Sequence, residues 1–404
     1  MTEQITAPAG HTSFLAAPPA RAVRTPAPDD TWTLPGGTAW VFYGKGHTGL
    51  VRPVILSDGF NTGPTKVEEA WAHMQRPTEE GGFPFATELL AGGRDLIILG
   101  YTERSASILT NAETATAAIR QSIAERQGSA GLVVGGFSMG GLVTRYALAR
   151  MERRRERHET AVYLSYDSPH RGAWIPIGLQ AFAHFLAEVN PLLGGLSRQI
   201  NSDAARQLLW QHIDTVRATP GEDDLRSTFI EALDSVGSWP QMPLKLGIAS
   251  GAGNGVGNGV TAGKDALTVD DGDLVGTLVR AQSTGAEQLV ARLRVEALNR
   301  EIEVFTNGLP ALDGAPGGTL RSFGIAADLL TLINNPATAH YENVCFVPTV
   351  SAAAIGHLDD PYRPVDSLPV EASELDDFVV ARTNQAHSAI TPDLANWILE
   401  RLPE

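Results

Sequence analysis

The segment that most restricts the fold is Leu132-Val-Val-Gly-Gly-Phe-Ser-Met-Gly-Gly141. An apolar run ends on a serine set between glycines, and an amphipathic stretch, Leu142–Arg157, follows at once. A run of this kind predicts a strand covered on both faces, and the spacing after it predicts a helix. Gly136-Phe137-Ser138-Met139-Gly140 fits G-x-S-x-G, the bend that holds a serine in strained backbone between strand and helix. Gly136 and Gly140 leave room beside the serine, and Gly141 allows close helix packing. The bend also sets the hydroxyl at a helix N-terminus, where partial positive charge favours a developing anion. Ser138 is therefore the candidate nucleophile; the plainer alternative is a tight structural turn.

The first half of the chain repeats this alternation. Ala39–Tyr43, Val51–Leu56, Asp95–Gly100 and Ala161–Tyr166 predict strands, and Asn111–Gln127 predicts a helix. Strands alternating with helices imply an α/β protein, with a mainly parallel sheet covered on both faces. Trp174–Val236 reads as mostly helical, and Ile175, Leu179, Phe182, Leu186 and Val189 fall on one helix face. Leu244–Ala249 and Asn343–Val347 read as further core strands. Leu289–Val295 and Glu301–Thr306 alternate apolar and polar residues, as in an added hairpin. Thr391–Leu402 predicts a closing helix with Pro392 in its first turn. Residues 1–30, rich in proline, predict an extended and poorly ordered arm.

The chain carries 31 Lys and Arg against 46 Asp and Glu, a net charge of −15. That balance disfavours nucleic acid and capture by anionic membranes. The arginines at 150, 153, 154, 155 and 157 read as a solvated helix end. A single cysteine, Cys345, rules out an intrachain disulfide or a thiolate metal cluster. The N-terminal residues lack the apolar core of a secretory signal, and no stretch is long enough for a membrane span. The expectation is a cytoplasmic protein without integral membrane contact. Gly251–Gly263 lacks the strand–helix context of a dinucleotide loop, and Asp270, Asp271 and Asp273 lack EF-hand spacing. No cofactor and no metal are expected.

Together with GFSMGGL, the segments Val54-Ile-Leu-Ser-Asp-Gly-Phe60 and Asp167-Ser-Pro-His-Arg-Gly172 and the late Asn384-Gln-Ala-His387 give a chain that resembles the α/β-hydrolase superfamily, in its lipase and esterase branch. The resemblance implies an α/β-hydrolase core over residues 31–172 and 240–404, with a helical cap over 173–239. It implies acyl-transfer chemistry on a small-molecule ester through an acyl-serine. One oxyanion donor would be the amide of Met139. The second would be the amide of Phe60, in a turn where Asp58 replaces the histidine common in the family. His387 fits the late base that activates the serine, with His357 as its rival. His170, in Pro-His-Arg-Gly, would be structural; His11 and His47 read as surface residues.

In the family the triad acid usually follows the seventh strand, but the chain there reads Glu342-Asn-Val-Cys-Phe346, with no matching Asp-Gly. Asp167, closing the preceding strand, is the choice, with Asp271 and Asp359 or Asp360 as alternatives. Trp174 and Phe182 in the cap are expected to line an acyl pocket, or else simply to pack the cap. The reaction class is carboxylic ester hydrolysis. An acyltransferase, thioesterase or cyclase using the same acyl-serine is the alternative, and a non-catalytic binding protein on the same fold is a third reading.

Overall fold

The computed structural model describes residues 13–17, 20–75 and 81–403. Its strands are β1 (Asp30–Leu34), β2 (Gly37–Phe42), β3 (Pro53–Ser57), β4 (Asp95–Tyr101), β5 (Leu132–Phe137), β6 (Thr160–Tyr166) and β7 (Leu244–Ala252). There follow β8 (Asp265–Val269), β9 (Leu278–Arg280), β10 (Gln288–Val295), β11 (Arg300–Thr306), β12 (Gly317–Leu320), β13 (Ala337–Ala339), β14 (Val344–Pro348) and β15 (Asp377–Ala381). Eight of them form the central sheet, in the order β1-β2-β4-β3-β5-β6-β7-β15. β2 runs antiparallel to β1 and to β4, and every later pairing in the sheet is parallel. The class is α/β, and this order with one reversed strand is the α/β-hydrolase arrangement.

Alternation along each strand divides the core between two faces. Ile55, Ile97 and Val134 point to the side covered by α3 (Ile108–Glu125) and α4 (Met139–Arg153). Val54, Leu56, Ile98 and Val133 point to the other, covered by α1 (Val67–Met74), α2 (Phe85–Ala91) and α11 (Pro392–Leu399). Because both faces are covered, β3, β4 and β5 are buried at every position.

The insertion after β6 holds α5 (Ile177–Val189), α6 (Gly195–Ile200), α7 (Asp203–Leu208) and α8 (Asp224–Ser235). Two further helices, α9 (Ser322–Leu332) and α10 (Thr349–Ala352), lie later in the chain. Every α5 residue from Ile177 to Leu186 is buried. That helix packs on β9, β10 and β11, part of a five-stranded antiparallel sheet ordered β11-β10-β9-β8-β13. The expected hairpin is thus β10–β11 inside a larger sheet, whose short strands β8, β9 and β13 carry little periodic signal. The helical insertion, this second sheet and one face of the central sheet share a continuous apolar cluster.

Two expectations change. Asn343–Val347 is not a strand of the central sheet: β14 pairs antiparallel with β12 in a separate two-stranded sheet. The seventh position of the central sheet belongs to β7 and the eighth to β15, a half-exposed edge strand. The N-terminal arm is not uniformly loose either. Phe14 and Leu15 are 0% and 1% exposed, whereas the chain from Arg21 to Asp29 lies mostly at the surface.

Candidate active site

Ser138 follows the last residue of β5 and caps α4, with φ 52° and ψ −123°. A non-glycine residue in that region is strained, and here the neighbours fix it. The Ser138 amide donates to the Tyr166 carbonyl at 2.8 Å. A Cβ on Gly136 would lie 2.5 Å from the Gly140 carbonyl carbon, and one on Gly140 would lie 2.4 Å from the Ser57 carbonyl oxygen. The second approach holds the first turn of α4 directly against the turn after β3.

That turn is where the second oxyanion donor is expected. The Gly59 amide donates to the Asp58 carboxylate at 2.8 Å, so it is committed. The buried Phe60 has an amide with no acceptor among the described residues. Asp58 is further held by Thr65 Oγ1 at 2.8 Å and by Arg104, 3.5 Å away. Burial raises its carboxyl above the usual range despite the lowering effect of Arg104 and Thr65.

Asp167 sits one residue beyond β6, fully buried, with φ 51°. Its Oδ2 lies 2.7 Å from His387 Nδ1 and accepts the Ser388 amide at 3.0 Å. Its Oδ1 accepts the Ser250 amide from β7 at 2.9 Å. Three partners on one buried carboxylate fix its position and orientation. The loop carrying His387 is laced to its surroundings: the Gln385 amide donates to Ser250, the Thr319 amide to Gln385 and the His387 amide to Thr319, each at 2.8–2.9 Å. The ring of Phe346 meets the His387 ring edge-on at 4.9 Å. The small β12–β14 sheet is therefore the bracket for the imidazole. With Nδ1–H directed to Asp167, Nε2 is an acceptor; it is buried and has no partner among the described residues.

Ser138 and His387 line one cavity of about 130 Å³. Its walls come from the β3 turn, from α1 through Ala70, His73 and Met74, and from Phe137. They also come from the N-terminal segment, through Leu15, Ala16, Ala17 and Ala20. Trp174 and Phe182, expected in an acyl pocket, lie elsewhere. Both are 0% exposed; Trp174 Nε1 donates to Asp313 at 2.6 Å, and Phe182 belongs to the core beneath the second sheet. The expected cap therefore does not wall this cavity through those residues. The sequence signal for this segment is Phe14-Leu15, an adjacent pair of large apolar residues in a proline-rich arm, of which Leu15 lines the cavity.

The other candidates are separated from the site. His357, Asp271, Asp359 and Asp360 do not line the cavity, and the Asp271 carboxylate accepts the adjacent Gly272 amide. His170 bonds Ser165 Oγ at 2.8 Å and approaches Arg145 Nη1 at 3.3 Å. Burial first, then Arg145 and Arg171, hold it well below its ordinary pKa, so it stays neutral. His47 faces the buried carboxylate of Asp95 at 2.7 Å. His11 lies outside the described residues. Among the described residues no group of three His, Cys, Asp or Glu side chains is arranged to hold a metal, and no helix is long and apolar enough to cross a membrane.

No family model and no curated protein matches this chain. Among solved structures, a brefeldin A esterase, described as a bacterial homologue of human hormone-sensitive lipase, is 16% identical, covering 57% of this chain and 63% of that one at a TM-score of 0.30. A lipase of Bacillus licheniformis in propeptide form is 13% identical, covering 56% and 40% at 0.32. An esterase of Pyrobaculum calidifontis is 13% identical, covering 54% and 65% at 0.32. In each case the chain spans less than two thirds of the other protein.

Proposed function

We propose that the protein is a serine hydrolase of carboxylic esters, working through Ser138, His387 and Asp167. The observation that carries this reading is the buried pair of His387 Nδ1 and Asp167 Oδ2 at 2.7 Å, on a cavity that His387 shares with a strained serine at a helix N-terminus. A buried carboxylate fixed to one imidazole nitrogen leaves the other basic, which is the arrangement a serine needs to lose its proton.

In this mechanism His387 Nε2 takes the Ser138 proton as Oγ attacks the ester carbonyl. Asp167 holds the tautomer and stabilises the imidazolium without itself taking the proton. Charge builds on the carbonyl oxygen, where the amides of Met139 and Phe60 donate; one such donor contributes about 3 kcal/mol to lowering the barrier. The imidazolium returns its proton to the leaving alcohol. Water, deprotonated by the same nitrogen, then releases the acid.

The test is a series of p-nitrophenyl esters with the Ser138→Ala variant beside the wild type, and an alkyl fluorophosphonate followed by mass spectrometry. The expected results are turnover that Ser138→Ala abolishes and covalent labelling at Ser138. Absence of both defeats the proposal. Turnover that raises ester exchange over acid release when a primary alcohol is added would favour an acyltransferase.

A further inference from the structure

The four N-terminal residues on the cavity have no part in building the sheet, whose first strand starts at Asp30. Burial and two hydrogen bonds hold them there. Phe14 and Leu15 are 0% and 1% exposed, and the Phe14 carbonyl accepts Ser322 Oγ, at the start of α9, at 3.4 Å. The Leu15 amide donates to Ser13 Oγ at 3.1 Å, which closes a local turn. On the other side the chain passes through Arg21–Asp29, mostly exposed, before it joins the sheet. A short apolar hook thus walls the cavity that Ser138 lines, joined to the sheet by a mostly exposed stretch.

We propose that Phe14–Ala17 is a strap closing the acyl side of the cavity, with Leu15 as the side chain that sets acyl length. The proposal rests on the reading of Ser138 as the acyl-accepting nucleophile. With the strap seated, the cavity holds about 130 Å³, close to the ~150 Å³ apolar cavity that admits a six-carbon ring. Acyl chains of about four to six carbons fit that space. Longer chains meet Leu15, and accommodating them requires the hook to lift. Ala16 and Ala17 have no side-chain rotamers to adjust, so the wall they make is set by the backbone. Phe14 is the anchor rather than the ruler: it is buried in the core and does not line the cavity.

The experiment compares the full-length wild type with Leu15→Ala and Ala16→Leu, on p-nitrophenyl esters from acetyl to dodecanoyl and on ethyl and dodecyl fluorophosphonates. Ala16 is only partly buried, so the added bulk there does not enter a packed core. The expected wild type prefers butyryl to hexanoyl chains. Leu15→Ala raises the dodecanoyl-to-butyryl ratio of kcat/KM, and the dodecyl-to-ethyl labelling ratio, at least tenfold. Ala16→Leu moves the optimum toward acetyl. Folded variants with an unchanged chain-length profile overturn the strap, as does a shift confined to the alcohol half of the ester. If no ester turns over but dodecyl labelling still accelerates in Leu15→Ala, the strap stands and ester hydrolysis falls. If no phosphonate labels Ser138, both fall.

Discussion

Gly318 sits in β12 against the buried carboxylate. A Cβ at that position would lie 2.2 Å from Asp167 Oδ2, 3.1 Å from its Cγ and 3.2 Å from His387 Cα. Ordinary non-bonded contact begins near 3.5 Å, so Gly318→Ala demands a shift of about 1 Å. Neither neighbour can supply it freely. The carboxylate is held by His387, Ser388 and Ser250, and β12 holds the His387 backbone through Thr319. Either Oδ2 leaves Nδ1, or β12 moves outward and takes the imidazole with it. A misplacement of about 1 Å costs roughly 10²-fold, and loss of the orienting carboxylate up to about 10⁴-fold. At about 1.36 kcal/mol per decade, this raises the barrier by roughly 2.7–5.4 kcal/mol. The expected outcome is a fall in kcat of that size, with KM changed by less than about threefold. Overpacking alone costs about 1–3 kcal/mol of stability, so a control is needed. Gly178→Ala in α5, where a Cβ would meet the Val290 carbonyl at 2.4 Å, should lower Tm comparably and leave kcat near wild type. Steady-state kinetics on a butyrate ester, with thermal melts, decide the matter. A folded Gly318→Ala protein within fivefold of wild-type kcat refutes the reasoning.

Two further outcomes follow from named contacts. Asp167→Asn should lower kcat by about 10³–10⁴ because the amide favours the wrong imidazole tautomer, while Asp271→Asn, outside the cavity, should leave it unchanged; equal losses would remove Asp167 from the mechanism. Asp313 is buried beneath Trp174 Nε1 and the Gln282 amide, and burial outweighs those two donors, raising its pKa to about 6. A raised carboxyl pKa means stability that is full below the unfolded value near 4 and declines as pH rises through about 6. Between pH 4 and pH 7 that loss is about 2 kcal/mol, and urea unfolding of Asp313→Asn should show a flatter profile over the same range. An unchanged slope would contradict the assignment.

The parts that were legible are those written locally. The strand–serine–helix segment carries its own glycines, and strands β4, β5 and β6 are short apolar runs bounded by polar residues. Asp167 and His387 were read from a resemblance and from position, and the fold brings them together across 220 residues of chain. What stayed hidden depends on non-local packing. Nothing in the sequence singles out Gly318; only its approach to Asp167 shows why a side chain is excluded. Trp174 and Phe182 looked like pocket residues because they fall in an apolar insertion. They are buried because a second sheet, three of whose strands are too short or irregular to signal themselves, lies over the helix. β14 reads as a core strand because Val344–Val347 is an apolar run, and such a run does not reveal which sheet a strand joins. The N-terminal hook is hidden in the sequence because the prolines around Phe14-Leu15 predict a loose arm.

The position of Asp167 has a consequence for how such a chain can diversify. With the proposed triad carboxylate supplied from the tip of β6, the end of β7 contributes only main-chain groups of Ser250, its amide to Asp167 and its carbonyl to the Gln385 amide. Main-chain groups impose no side-chain identity. The connection leaving β7 is therefore released from chemical duty, and it is there that the protein carries its five-stranded annex. Recombination or engineering could exchange most of that annex for another module, provided β12, its glycine and the loop it braces are kept.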